Sequence, residues 1–234
     1  MKDRRKTVSM GFAVLISVAV FASPAAATVL VSSDFTSNDE GWKNGNFDTL
    51  TASPTAVGYS SSGGNPSGHI RVADNYSWNA FVAPAQFLGD QSAAYVGSLT
   101  FDLYDTVADS SGSQASVMLS DGTTFIYSPT ISLPAVLGPP FNSFSVSLLA
   151  SAGWRTDPVG GGSAVSEATL QSVLANLQTL AIDADWRTGG DDDVHLDNVA
   201  LNSVSSVPEP SACLLLAAGL LGLRRYGWRG KRTE

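Results

Sequence analysis

The stretch from Trp78 to Leu103, WNAFVAPAQFLGDQSAAYVGSLTFDL, decides the fold. At its end the apolar side chains Leu99, Phe101 and Leu103 alternate with more polar neighbours. An alternation with a period of two is typical of a strand that has one buried face and one solvated face. The stretch therefore predicts an antiparallel β-strand.

Similar patterns occur along the rest of the chain. Residues 144–148 alternate apolar side chains with serines, and residues 180–186 alternate again. Asp121-Gly122 stands between two strand-like runs, and this pair favours a tight hairpin because both central residues can take positive φ. Clusters of Gly, Ser and Pro separate the runs. This spacing predicts an all-β protein, either a β-sandwich or a jelly roll.

One segment has a helical period instead. Leu170, Val173, Leu174 and Leu177 fall on one helical face, and Ser166 stands before them as an N-cap. We predict one amphipathic helix of about three turns between Ser166 and Gln178.

The first residues have the order of a signal peptide. Basic residues precede an apolar stretch from Gly11 to Ala22, and Ala25 and Ala27 form the small-residue pattern that signal peptidase recognises. We predict that residues 1–27 are cleaved after Ala27, with a buried first helix as the alternative. An arginine pair in the basic segment leaves twin-arginine export open beside ordinary secretion.

The body between the two terminal segments, residues 28–206, is strongly acidic. It has four Lys and Arg against 18 Asp and Glu, a net charge of −14. Such a surface repels nucleic acid and anionic lipid, and suits divalent cations or neutral glycans. The one cysteine, Cys213, lies outside the body, so the body has no disulfide and its stability requires a buried core. Its length suits a single domain.

The tail, residues 207–234, has three parts. Pro208-Glu209-Pro210 precedes a run of 12 mostly apolar residues, Ala212 to Leu223, and a basic cluster follows. As a helix this run is about 18 Å long, whereas a bilayer core requires roughly 20 apolar residues. A tail anchor that stays in the membrane is therefore the less favoured alternative.

This tail resembles the PEP-CTERM sorting signal of Gram-negative bacteria. The resemblance implies a helix that is held only transiently in the inner membrane, with its basic cluster in the cytoplasm. It also implies processing by an exosortase near Pro208, Glu209 and Pro210. Exosortase systems accompany exopolysaccharide production and biofilm formation. We therefore expect the protein at the cell surface or in the extracellular matrix.

The body resembles the laminin B domain, also called laminin domain IV. The resemblance rests on residues 78–103, on SAGWR at 151–155, on LQSVLANLQTLAIDADW at 170–186 and on LDNVAL at 196–201, in that family's order. It implies a jelly-roll β-sandwich, similar to galactose-binding-like carbohydrate modules, with no known catalytic residues. The chain differs from laminins in its sorting tail and in lacking their cysteine-rich modules.

Catalytic signatures are not evident in the sequence. It contains no G-x-S-x-G, no His-Glu-x-x-His and no phosphate-binding glycine loop. His69 shares a strand face with Arg71, which indicates a solvated or structural histidine rather than a base. A glycosidase needs two carboxylates across a cleft, and no pair of Asp residues stands out. We predict that the protein is not an enzyme, with a glycan-active hydrolase as the least favoured alternative.

The acidic residues suggest calcium, which takes six to eight oxygen ligands. The apolar phase of the last strand changes at Asp197-Asn198, as a β-bulge requires. Jelly-roll carbohydrate modules often hold a structural calcium between their first and last strands. By that analogy we predict a calcium site that pairs Asp197 with Asp34 or Asp39. A solvated loop is the alternative, above all for Asp191–Asp193.

Tryptophans are candidates for sugar contacts, because an indole offers a large apolar face. Trp42 and Trp154, each beside a glycine, are the better surface candidates, although a core position is favoured even for them. Trp78 and Trp186 are assigned to the core.

These patterns together predict a jelly-roll β-sandwich with one short helix, flanked by helical targeting segments at both ends. Its predicted role is structural or adhesive, in extracellular polysaccharide or biofilm. A carbohydrate-binding module with a defined glycan ligand is the alternative. The predicted partners are signal peptidase, exosortase and extracellular polysaccharide, with no nucleic acid.

Overall fold

The computed structural model describes residues 27–47, 53–73, 75–105, 116–131, 140–159, 161–186 and 193–204. They belong to one compact unit, Ala26–Ser205. The predicted sorting signal, with Pro208, Glu209 and Pro210, lies outside the described residues, and so does the predicted signal peptide before Ala27. Asp191 and Asp192 are outside them as well. Within the described ranges, no helix is both long and apolar enough to cross a bilayer.

The described chain is mostly β-structure, in two antiparallel sheets of six strands each. One α-helix, α1 (Glu167–Ala175), and three short 3-10 helices, Ala85–Phe87, Ser92–Ala94 and Ala150–Ala152, lie between strands. The strands are β1 (Thr28–Ser33), β2 (Lys43–Asn46), β3 (Thr55–Ala56), β4 (Gly58–Ser60), β5 (His69–Ala73), β6 (Asn79–Val82), β7 (Ser98–Asp105), β8 (Val117–Ser120), β9 (Phe125–Tyr127), β10 (Asn142–Ser147), β11 (Thr179–Asp183) and β12 (Asp193–Ser203).

The order of strands in the first sheet is β10-β7-β12-β5-β4, and β1 also pairs with β12. The order in the second sheet is β3-β2-β6-β11-β8-β9. Most neighbours in these sheets are distant in sequence, as in a sandwich rather than a simple meander. The predicted β-sandwich is confirmed.

The main core contains apolar side chains from both sheets and from α1. Leu99, Phe101 and Leu103, the apolar phase of β7, are at most 1 % exposed. Phe101 pairs with Phe144 of β10, so the two predicted alternations meet in one register. The alternation in these strands therefore identified the core-facing side chains correctly.

The second sheet differs from the half-buried sheet that we expected. Ala181 belongs to the phase predicted to face solvent, yet it is fully buried. It packs with Phe47, Ala80, Met118 and Tyr127 in a separate small cluster, with Trp78 partly buried against it. The central strands of this sheet are thus apolar on both faces.

The predicted helix forms, and it is shorter than expected. α1 begins after Ser166, whose hydroxyl accepts the N–H of Thr169 at 3.1 Å as the N-cap. It ends at Ala175 rather than Gln178. The turn at Asp121-Gly122 is also longer than predicted, because β8 ends at Ser120 and β9 begins at Phe125. The Asp121 carboxylate accepts the N–H groups of Thr123 and Thr124 there.

The candidate surface tryptophans are buried. Trp42 and Trp154 are both 0 % exposed, so neither can contact a glycan in this structure. The Trp42 indole N–H donates to Ser33 Oγ at 3.0 Å, and that of Trp154 donates to the Ser147 carbonyl at 2.9 Å. These internal acceptors remove the need for solvent at the polar end of each indole. The core assignment, already favoured for both, is correct.

We expect Trp42→Ala to lower the free energy of unfolding by about 3–5 kcal/mol. The indole packs edge-on against Phe35 and Phe87, with ring centroids 6.1 and 5.3 Å away, and its loss leaves a cavity. Urea unfolding followed by circular dichroism measures the change. The control is Val159→Ala at a side chain that is 66 % exposed, which should change stability by less than about 0.5 kcal/mol. Equal losses in the two variants would contradict the core position of Trp42.

Candidate functional site

Strand β12 has two partner strands along one of its edges. β7 pairs with it from Val194 to Asn202 along the opposite edge. β5 pairs with residues 193–196 and β1 with residues 199–203. Asp197 and Asn198 therefore lie at the gap between β5 and β1.

The predicted β-bulge is present at this gap. The register between β12 and β7 shifts between Asp197 and Ala200. Asn198 has a φ of 50°, in the left-handed region, which Asn adopts more readily than most residues. The bulge changes the phase of the strand, so Leu196 before it and Val199 after it are both fully buried.

A glycine-rich loop closes the gap. The N–H of Asn65 donates to Asp197 Oδ2 at 2.6 Å. A Cβ on Gly64 would lie 2.7 Å from that same oxygen, and a Cβ on Gly68 would lie 1.9 Å from the carbonyl oxygen of Phe35. Only glycine permits these approaches, which bring the loop against both the bulge and Phe35, two residues after the end of β1.

The Asp102 side chain completes the arrangement from β7. Asp102 is paired with Asp197 across the ladder. Its Oδ2 accepts the side-chain amides of Asn198 at 2.8 Å and of Asn65 at 3.2 Å. The Asn198 amide also donates to the Asn65 carbonyl oxygen. We call Asn65, Asp102, Asp197 and Asn198 the bulge cluster.

Two carboxylates are buried in the bulge cluster. Asp197 is 0 % exposed and Asp102 is 6 % exposed. Within the described ranges neither forms an ion pair, since the ion pairs found there involve Asp193. The pKa of Asp197 is raised to about 6, chiefly by burial. The hydrogen bonds from Asn65 and Asn198 lower this pKa, and the charges of Asp102 and Asp34 raise it. The ionised form of Asp197 is therefore destabilised by its surroundings.

The predicted calcium ligands are only partly brought together. Asp34 is close enough for its charge to act on Asp197, and its Oδ1 accepts the N–H of Thr36. Asp39 instead accepts the N–H of Gly41 at 3.0 Å. The oxygen donors of Asp34, Asp102 and Asp197 suit calcium in their chemistry. In the described part of the chain, however, no three His, Cys, Asp or Glu side chains are grouped as a metal site. Calcium binding stays a prediction.

The same two carboxylates also bear on the hydrolase alternative. A glycosidase uses two carboxyl groups that flank the bond of a bound substrate. Asp197 has no exposed surface, and its two oxygens accept the N–H groups of Asn65 and Asn198. The pair is closed to a substrate, and the raised pKa of Asp197 has a structural cause, its burial.

A second polar group lies on the same outer face of the first sheet, opposite the core. The His195 ring stacks on Tyr104 at 4.0 Å, with an angle of 11° between the planes. His69 lies 4.9 Å from His195, and Phe141 lies edge-on to Tyr104 at 4.8 Å. We call these four residues the aromatic cluster.

Burial controls the ionisation of the aromatic cluster. His69 and His195 are each 5 % exposed, so the expectation of a solvated His69 is wrong, while a structural histidine is consistent with this burial. Burial lowers the pKa of both imidazoles, and the charge of Arg71 lowers them further. Burial likewise raises the pKa of the Tyr104 hydroxyl. Neutral rings are therefore favoured on this face.

Sequence reasoning found Asp197 and the bulge but missed Asp102 and Asn65. Asp102 alternates with the apolar residues of β7, and this alternation was the only signal in the sequence that its side chain lies on the face opposite the core. Its pairing with Asp197 depends on the register between strands 95 residues apart in the chain. Asn65 lies in a Gly, Ser and Pro cluster that predicted nothing more than a loop.

Comparison with known proteins agrees with this architecture. The family model for Laminin B (Domain IV) matches residues 80–214. Among solved structures, the L4b domain of human laminin alpha-2 is similar, with a TM-score of 0.57. The identity is 14 %, and the likeness covers 75 % of this chain and 98 % of that chain, so it shows a shared fold. A comparison with curated proteins finds no match.

Two antiparallel six-stranded sheets packed around a common core define a β-sandwich domain. The chain belongs to the Laminin B (Domain IV) family, whose model matches more than half of it. Domains of this family are typically extracellular and indicate a structural, non-enzymatic class.

We expect Asn198→Gly to lower the free energy of unfolding by about 1–3 kcal/mol, because the buried Asp102 loses a donor. Asn198→Ala loses the same donor and in addition places a residue with a Cβ atom, and without the hydrogen-bonding side chain of Asn, at a φ of 50°. It should therefore be less stable than the glycine variant by roughly 1–2 kcal/mol. Urea unfolding of both variants gives the two differences. Wild-type stability in both variants would show that the bulge cluster does not hold the gap closed.

The raised pKa of Asp197 makes the stability of the folded protein depend on pH. In the folded chain this pKa is about 6, above the value of about 3.9 for a free carboxyl. The folded protein therefore binds this proton more tightly than the unfolded chain does. Protonation of Asp197 thus stabilises the folded state fully below about pH 4, and this stabilisation is lost as the pH rises through 6. We expect the stability of the wild type relative to Asp197→Asn to fall between pH 4 and pH 7 in chelator. A difference that does not change with pH would contradict the assignment.

Proposed function

We propose that this chain is an exported protein with a structural or adhesive role in the extracellular polysaccharide matrix of a Gram-negative bacterium. The observation that carries the proposal is the combination of a Laminin B β-sandwich with a tail of the sorting-signal type, residues 207–234, in one chain. The family supports an extracellular structural domain. The tail supports the location.

Export and sorting follow from the two ends. Signal peptidase cleaves after Ala27, and the tail then holds the chain at the inner membrane. Exosortase acts near Pro208, Glu209 and Pro210 and transfers the body to the cell surface or matrix. Prolines keep the chain before them extended, which suits access to a processing site.

The charge of the body supports a neutral polymer as its partner. A net charge of −14 repels nucleic acid and anionic lipid, and neutral glycans carry no charge to be repelled. Structural calcium at Asp197 with Asp34 would offset part of this charge. It would also relieve the carboxylate repulsion that adds to the effect of burial on the pKa of Asp197.

A carbohydrate-binding module with a defined glycan ligand is the second candidate. The observation that favours it is the aromatic cluster, where Tyr104 and Phe141 are partly exposed on the outer face of the first sheet. Partly exposed aromatic rings are suited to stacking on sugars. The ion pair of Arg71 with Asp193, 3.7 Å apart beside this cluster, adds exposed hydrogen-bonding groups.

The test measures binding of the compact unit, residues 26–205, to the exopolysaccharide of the producing organism. Pull-down and calorimetric titration are run with calcium and then with chelator. We expect saturable binding that weakens at least about tenfold in chelator, because calcium removal leaves the carboxylates near Asp197 uncompensated. Asp197→Asn should lose the response to calcium, whereas Asp90→Asn, the same change at an exposed turn, should keep it.

The outcome separates the two candidates. Binding to many neutral polysaccharides supports the general matrix role. Selective binding to one glycan, lost in Tyr104→Ala with folding preserved, supports the carbohydrate-binding module. No binding with calcium or with chelator would overturn the glycan partner and leave scaffolding between proteins as the role of the domain.

A further inference from the structure

Strand β10 is the terminal strand of the first sheet, and its far edge borders a groove. The groove has a volume of about 380 Å³ and is lined by residues 143–147 together with Pro129, Thr130 and Ile131. None of its lining side chains is charged. A terminal strand beside an open groove is a surface on which another extended chain can pair.

The hydrogen bonds around Leu148 show which main-chain groups of β10 face the groove. The Leu148 N–H donates to the Gly97 carbonyl, and its carbonyl accepts the N–H of Val96, so its main chain faces β7. Directions alternate along an antiparallel strand, so Ser143, Ser145 and Ser147 face the other way. The Ser147 carbonyl confirms this direction, because it accepts the indole N–H of Trp154 from outside the sheet.

Two outward-facing residues of β10 are unpaired at the edge. Within the described residues, the main-chain N–H and C=O of Ser143 and Ser145 have no hydrogen-bond partner, whereas the Ser147 carbonyl is occupied by Trp154. These two residues present two donors and two acceptors in the regular spacing of a strand. Natural edge strands are usually protected by Lys, Pro or a bulge. β10 has the sequence NSFSVS and contains no Lys, no Pro and no charge.

The absence of charge on β10 points to the occupant. Two copies of a body with a net charge of −14 repel each other, and they can approach most closely where both surfaces are neutral. A strand edge is also self-complementary, since two antiparallel copies related by a two-fold axis exchange the same donors and acceptors.

We propose that β10 pairs with β10 of a second copy of this chain, joining two first sheets edge to edge into one continuous sheet. In this pairing, Ser143, Ser145 and Ser147 of one copy lie opposite the same set of residues in the other copy, because only these residues direct their main-chain groups outward. The two-fold axis therefore passes near Phe144 or Ser145. The pairing uses only the edge of β10, so it does not depend on the glycan or on calcium.

The test is sedimentation equilibrium of residues 26–205, which form one compact unit with its own core. We expect the wild type to form dimers whose fraction rises with concentration. Ser145→Pro removes an outward N–H without breaking the ladder to β7, and should weaken association at least about tenfold. Ser145→Lys places like charges near the axis and should weaken it as well.

A matched control is Ser172→Lys, which adds the same charge on the exposed surface of α1. It should dimerise like the wild type. Near-ultraviolet circular dichroism verifies that every variant is folded, and the lysine variant keeps the test valid if the proline variant does not fold.

The proposal is overturned if the wild type is monomeric at every concentration, or if both Ser145 variants dimerise like the wild type. A monomeric wild type that binds a synthetic extended peptide only when Ser145 is intact would assign the edge to a different protein. Glycan binding by a monomeric Ser145 variant would show that the matrix function and the self-association are separate.

Discussion

The hydrogen bond from the Asn65 N–H to Asp197 Oδ2, 2.6 Å long, joins parts of the chain that are far apart in sequence. β12 pairs with β5 and with β1 on the same edge, and this bond brings the loop that closes the space between them to the bulge. The loop then contacts the carbonyl of Phe35, just after β1. The loop therefore links the strands on the two sides of the gap. Gly64 and Gly68 are needed in this loop because a Cβ at either position would overlap main-chain atoms.

This closure has an electrostatic cost. It buries Asp102 and Asp197 together, and within the described residues no basic side chain pairs with either. Four amide donations from two asparagines offset part of that cost. The remainder appears as the raised pKa of Asp197, near 6. A proton on Asp197 relieves this cost, so the stability of the domain depends on the acidity of the medium at this one structural feature.

The rest of the molecule fits a structural protein better than a catalyst. The large aromatic side chains, including Trp42, Trp154 and Trp186, are used to fill the core. The two buried carboxylates are closed to substrates, and the aromatic cluster leaves only Tyr104 and Phe141 partly exposed. What the domain offers to partners is an acidic surface, the outer face of the first sheet and the uncharged edge of β10. These are the surfaces at which the proposed contacts with a polysaccharide and with a second copy would form, on a domain of the Laminin B family.

The sequence by itself determined the β-sandwich class, the family, the helix after Ser166, the bulge at Asp197-Asn198 and the core phases of β7 and β10. These features depend on local periodicity, on capping and on motif order, all of which can be read along the chain. It did not determine the pairing of Asp197 with Asp102, the closing role of Asn65, the burial of Trp42 and His69, or the apolar outer face of the second sheet. Each of these depends on which distant segment lies opposite, and a register between remote strands leaves no local pattern. Only the tertiary structure decided them, because burial and the electrostatic environment of a side chain are set by neighbours from other parts of the chain.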